Sequence, residues 1–217
     1  AEPVTRPGGV WVIGRHRVIC GDCRDAATVA RLLDGTKAHL VITSPPYPNE
    51  KDYSRATRLE SVLLGLLTTR EQVRYVKNEL LRSNTKNVFK GDDDHRWVQD
   101  NVEIQRLAEA MEHRRLELNK TSGFERLYSK VTTLYFGGMA RHLDSLRASL
   151  QPGAHLAYVV GDQASYFRIH IKTGELLGTI ATSLGYEVIR RDLFRTRRST
   201  ATKASLREEV LVLKWHG

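Results

Sequence analysis

The stretch Ala38-His39-Leu40-Val41-Ile42-Thr43-Ser44-Pro45-Pro46-Tyr47 constrains the fold more than any other part of the chain. Leu40, Val41 and Ile42 are strand formers bounded by breakers and read as a short buried strand. Pro45 and Pro46 each fix φ and remove a backbone donor. Each also pushes the residue before it into extended geometry. The strand therefore runs into a stiff loop whose carbonyls meet no competing N–H. In an open α/β sheet, ligands bind outside the carboxyl ends of the strands. The Ser44 hydroxyl and the Tyr47 ring flank those carbonyls. Such a set suits a planar base with an exocyclic amine: the oxygens accept from the amine while the ring stacks on the base.

At 217 residues, the whole of 1–217 is expected to form a single domain with a sizeable core. A hydrophobic fraction of 41% with 27% charged residues fits a soluble globular protein. No apolar run approaches a membrane span, and residues 1–9 do not read as a signal peptide, so a cytoplasmic protein is expected. The net charge of +9 favours a polyanionic partner without separating DNA from RNA. Cys20 and Cys23 form a lone C-x-x-C pair with no second pair to complete a zinc site. They read as free thiols, and no metal is expected.

The chain opens with two short strands around residues 11–13 and 18–21, then a helix at about 26–33 with Asp22 or Asp25 as its cap and Gly35 beyond its end. With the central strand this suggests a parallel strand–helix–strand unit. From about 53 to 130 no strand alternation appears, and the region reads as a helical insertion. Within it Thr69 and Gln72 have capping-box spacing. The acidic run at 86–94 reads as a mobile loop. Arg70, Arg74, Lys77, Arg82, Lys86 and Lys90 suit phosphate contacts and a solvated helix face about equally. Residues 128–150 form an amphipathic helix in which Gly137-Gly138 is a close packing point rather than a phosphate loop. Residues 151–153 read as a turn, 155–160 as a buried strand ending in Gly161-Asp162, and 168–171 as a short strand. A helix at 175–184 and strands at 186–193 and 208–215 follow, joined by the basic loop Arg195-Thr196-Arg197-Arg198-Ser199-Thr200-Ala201-Thr202-Lys203.

Thr43-Ser44-Pro45-Pro46-Tyr47 resembles the catalytic motif of amino-methylating DNA methyltransferases, which transfer a methyl group from S-adenosylmethionine to an exocyclic base amine. Ile19-Cys20-Gly21-Asp22-Cys23, about twenty residues earlier, is similar to the segment of that family that contacts the cofactor's adenine. The similarity covers most of the chain, from about Trp11 to Trp215. It implies a Rossmann-like α/β sheet, mostly parallel with an antiparallel C-terminal edge, carrying a helical insertion. Ser44, Pro45, Pro46 and Tyr47 are the implied catalytic set, and Asp22, Cys23 and Thr43 the implied cofactor contacts. Arg195, Arg197, Arg198, Lys203 and Arg55 are the candidates for DNA phosphates. The Ser form of the motif implies cytosine N4 in preference to adenine N6. Double-stranded DNA, with the target base flipped out, is the implied substrate. Site-specific methylation of this kind belongs to restriction–modification.

The family's glycine-rich cofactor loop is missing from this sequence. The chain therefore resembles the catalytic half of a permuted-order enzyme, whose glycine-rich half would follow. A truncated chain, a split enzyme whose second chain carries that half, and a cofactor-deficient DNA-binding subunit all remain open. So does an RNA amine methyltransferase.

Overall fold

The computed structural model describes residues 6, 8–21, 25–49, 52–199 and 202–217. Strands β1 (Val10–Ile13) and β2 (His16–Ile19) close on each other as an antiparallel hairpin, a sheet of their own. Helix α1 (Ala26–Leu33) is capped by Asp25, whose carboxylate accepts from the Ala27 and Thr28 N–H groups at 3.1 Å. Next comes β3 (Ala38–Thr43), which pairs in parallel with β4 (Leu150–Gly161) and not with β2. The expected opening strand–helix–strand unit is thus corrected. Four-residue β2 pairs with β1, its neighbour across a tight turn, in a separate two-stranded sheet that β3 does not join.

Between β3 and β4 every regular element is helical: α2 (Tyr53–Ala56), α3 (Arg58–Leu63), α4 (Arg70–Glu79), α5 (Val102–Glu117) and α6 (Tyr128–Leu146), with short 3-10 turns. The expected capping box forms at α4, where Gln72 N–H donates to Thr69 Oγ1 at 3.3 Å and Thr69 N–H to Gln72 Oε1 at 3.2 Å. Helix α6 carries the core, with Leu134, Tyr135 and Phe136 fully buried. Gly137 and Gly138 are its close-packing point, as the periodicity suggests. A Cβ at Gly137 would sit 1.9 Å from the Asp94 carbonyl oxygen, so only glycine lets that backbone approach.

The expected mobile loop at 86–94 is anchored on a buried polar stretch that begins at Arg82. Ser83, Asn84, Thr85 and Asn87 are buried. Buried Arg82 forks onto Asp92 through Nε at 3.0 Å and Nη2 at 2.8 Å. It also donates to the Asn78 carbonyl at 2.7 Å, satisfying an orphan oxygen at the end of α4. The acidic run is fixed from within, and Arg82 is committed to it.

Beyond β4 come α7 (Thr173–Ser183), β5 (Tyr186–Arg198) and β6 (Ser205–Trp215). The sheet order is β3-β4-β6-β5. Only the β3–β4 pairing is parallel, and β6 is antiparallel to both of its neighbours. The sheet is therefore mixed, and less parallel than the sequence suggests. Residues 151–153 are not a separate turn; they lie within β4 as an irregularity, since Ala38 pairs with Leu150 and Leu40 with His155. Residues 168–171 make no strand. Phe167 and Arg168 have positive φ, and Ile171 makes a single bridge to Gln163.

Side chains alternate across the sheet. Leu156, Tyr158 and Val160 of β4 and Leu211 and Leu213 of β6 are buried, and α7 packs on the same side, with Gly178 beside Leu211. On the other side, Leu40 and Ile42 of β3 are 57% and 72% exposed. The outer edge of β3 pairs with no strand among the described residues. The motif loop hangs from the carboxyl end of this edge strand. No helix among the described residues is long and apolar enough to cross a membrane.

Candidate functional site

The loop after β3 takes its geometry from its prolines and from β4. Ser44 is exposed, Pro45, Pro46 and Tyr47 are half-buried, and Pro48 is buried beneath them. Ser44 Oγ donates a long hydrogen bond of 3.3 Å to the Val159 carbonyl on β4. With its proton turned to the strand, the hydroxyl keeps its lone pairs for an incoming donor. Asn49 N–H donates to the Tyr47 carbonyl at 2.8 Å and closes the turn.

Tyr47 is held at both ends. Its hydroxyl donates to Glu208 Oε1 at 2.5 Å, a partner 161 residues away. Its ring lies against Gly161, where an added Cβ would come within 2.9 Å of Cε2. Burial, then the Glu208 hydrogen bond and charge, push the Tyr47 hydroxyl up to about 12, while Ser44 and the Arg197 charge pull the other way. At neutral pH the phenol therefore keeps its proton and offers a flat neutral ring.

Glu208 is buried on β6, opposite both Gly161 of β4 and Arg195 of β5. Its second oxygen, Oε2, pairs with Arg195 Nε and lies 3.8 Å from Arg197 Nε. The Arg195 hydrogen bond, reinforced by Tyr47 and the two arginine charges, outweighs burial and holds the carboxyl below its ordinary range. Arg197 also donates to the Asp162 carbonyl at 3.2 Å, and its guanidinium lies 6.0 Å from the Tyr47 ring centre.

Arg195, Arg197 and Arg198 do not sit in a loop, as the sequence suggests. They belong to β5, which runs on to Arg198 because Glu208 and the β6 ladder extend the pairing outward. Arg195 and Arg197 face the site, while Arg198 turns back to the Lys203 carbonyl at 3.4 Å. Lys203 sits in the tip with φ 59°, exposed. Arg55 is exposed on α2, away from these arginines in the chain. Thr43 closes β3 opposite Tyr158. Asp22 and Cys23 lie outside the described residues.

Asp52 caps α2, accepting from Arg55 N–H at 3.2 Å and Ser54 Oγ at 2.6 Å. Burial alone would raise its carboxyl, but the Ser54 bond and nearby Lys77 hold it below its ordinary value. Asp162, the second strand-end carboxylate, is buried and structural: it accepts from Thr173 N–H at 3.1 Å and contacts His170 at 3.1 Å. Two participants, Glu208 and Gly161, were not singled out as site residues from the sequence. The signal that could have pointed to Glu208 is a glutamate at the head of the apolar β6 stretch, between Arg207 and Glu209.

No family model matches the chain. Over 155 residues, 68% of its length, it is 29% identical to the Type II methyltransferase M.AvaI of Nostoc sp. (strain PCC 7120 / SAG 25.82 / UTEX 2576). The Type II methyltransferase M.AvaI of Anabaena variabilis matches to the same extent. The matched stretch spans 30% of the length of these relatives. The similarity supports the methyltransferase family.

Proposed function

We propose that this chain carries the base-binding side of an S-adenosylmethionine-dependent DNA methyltransferase acting on an exocyclic amine, cytosine N4 in preference to adenine N6. The observation that carries the reading is the Ser44-Pro45-Pro46-Tyr47 loop at the carboxyl end of β3, with an exposed serine hydroxyl beside a fixed, protonated tyrosine. A base inside a duplex is out of reach, so it is flipped into the site at a cost of a few kcal/mol. Tyr47 stacks on it. Ser44 Oγ and the Pro45 carbonyl accept from the amine and aim the nitrogen lone pair. Tyr47 is too weak an acid to supply a base at neutral pH, and Glu208 is committed to its arginines. Catalysis by these residues is therefore positioning and electrostatics. Type II methyltransferase similarity and the net charge of +9 support DNA as the substrate and a restriction–modification setting. The mixed sheet is compatible with a Rossmann-like methyltransferase fold whose helical insertion lies between β3 and β4.

S-adenosylmethionine, when bound, supplies an electrophilic methyl group. Among the described residues, the surroundings of Ser44 support one side of such a site. The open edge of β3, with Leu40 and Ile42 uncovered, leaves an apolar approach beside Ser44. Asp22, Cys23 and Thr43 are the proposed contacts.

A second reading is favoured by that same bare edge: a split or non-catalytic DNA-binding subunit, completed by a second chain with the glycine-rich cofactor half. The test is to incubate the protein with methyl-labelled S-adenosylmethionine and duplex DNA, then analyse the nucleosides by mass spectrometry. Labelled N4-methylcytosine is expected. N6-methyladenine would reassign the base. DNA binding without label in any base would reject catalysis by this chain and select the second reading, and labelling of RNA alone would select an RNA enzyme.

A further inference from the structure

Glu208 ties the motif loop after β3 to the two arginines of β5. One carboxylate oxygen holds the Tyr47 hydroxyl at 2.5 Å, and the other holds Arg195, with Arg197 at 3.8 Å. The carboxylate is 7% exposed, whereas the Arg195 side chain is 61% exposed. The buried charge is thus neutralised by a cation that water, or a phosphate, can reach. Removing one partner of a buried ion pair is costly because the other is left uncompensated. Arg195 therefore rests on Glu208 until an anion outside competes for it.

We propose that Glu208 is a positioning residue of the Ser-Pro-Pro-Tyr site, which fixes the Tyr47 ring as a stacking platform and holds Arg195 and Arg197 so that nucleic-acid phosphates must compete for them. The proposal rests on the base-amine reading above for its catalytic half only. The hold on the arginines stands on the ion-pair geometry alone. Glu208 sets the ring by its hydroxyl, and Gly161 leaves the room for it. Neither touches the base.

Three variants separate the two jobs. Glu208→Gln keeps a hydrogen-bonding group for Tyr47 and frees the arginines. Glu208→Ala removes both functions. Tyr47→Phe removes the tether and leaves the arginines paired. Duplex DNA binding is measured across a salt series, together with kcat and KM for methyl transfer and the melting temperature of each variant. Each phosphate contact adds about 0.9 to the slope of log affinity against log salt. Glu208→Gln should steepen that slope by about one and lower kcat less than Glu208→Ala does, because the amide oxygen still accepts from Tyr47. Glu208→Ala should steepen it equally and lower kcat about tenfold, with Gln rescuing the loss. Tyr47→Phe should lower kcat with an unchanged slope. An unchanged slope in Glu208→Gln, or an unchanged kcat in Glu208→Ala, would overturn the proposal. Absence of methyl transfer in the parent would reject the base-amine reading instead, and the salt slopes would still decide whether Glu208 holds the arginines.

Discussion

The two faces of the four-stranded sheet are built from similar residues and do different work. Leu156, Tyr158 and Val160 face α7 and the α6 core and are almost completely buried, whereas Leu40 and Ile42, one strand away, face outward and are mostly exposed. Parallel strands are ordinarily covered on both faces, because their apolar residues point both ways. Here the covered face holds the fold together, and the other face is bare over β3, the strand that leads into the loop with Ser44 and Tyr47. Apolar composition alone does not tell them apart. What differs is the presence of a second layer, and the stability of the molecule is concentrated where that layer exists.

Leu156→Ala tests the covered face most severely. It should cost about 2–5 kcal/mol in denaturant unfolding, because a fully buried side chain leaves a cavity. Gly137→Ala belongs with it, since its Cβ would strike the Asp94 carbonyl, a backbone atom that cannot swing away. A loss under 1 kcal/mol at Leu156 would erase the contrast. An intermediate effect is expected at the rim, where Gly161→Ala pushes on the Tyr47 ring without opening the core. A drop of about tenfold in kcat/KM with little change in melting temperature is expected. Ile42→Ala should change unfolding free energy by no more than about 0.5 kcal/mol, as at other exposed positions. A loss of several kcal/mol there would mean that this face is covered in solution.

The pH dependence of stability sharpens the same contrast. Glu208 is held below its usual range by Arg195, so the unfolded chain takes up its proton first. Its contribution is complete above the ordinary carboxylate pKa and is lost as pH falls through the folded value. Tyr47, raised to about 12 by burial and Glu208, behaves oppositely. Its contribution is complete below the ordinary phenol value of about 10 and is lost as pH climbs towards 12. Glu208→Gln should flatten the acid limb of a melting-temperature profile and Tyr47→Phe the alkaline limb. Unchanged limbs would remove the coupling between them.

Local chemistry made much of this legible in advance. The Thr69–Gln72 capping box and the helices around 26–33 and 175–184 rest on neighbours within a few residues, which a sequence displays, and the Gly137-Gly138 packing point and the antiparallel final pair show in the residue pattern itself. The misses were long-range. Nothing near Arg82 announces that Asp92 will bury it, so an ordered polar cluster reads as a mobile loop. Arg195 and Arg197 read as free loop cations because their partner, Glu208, is identified only once β5 and β6 are in register. For the same reason the Tyr47 tether was invisible: its two ends are 161 residues apart. Ser44 and Tyr47 were readable as a motif, but Glu208 was not.

The proposed role of Ser44 is to accept from a base amine at the end of β3. It is tested most directly by single-turnover methyl transfer from labelled S-adenosylmethionine to duplex DNA, comparing the parent with Ser44→Ala. Ser44 is exposed and its hydrogen bond to the Val159 carbonyl is long, so the variant should melt close to the parent's temperature. The rate should fall by on the order of 10²-fold, the scale for losing one preorganised polar contact at a reacting centre. A Ser44→Ala protein that methylates DNA as fast as the parent would contradict that role.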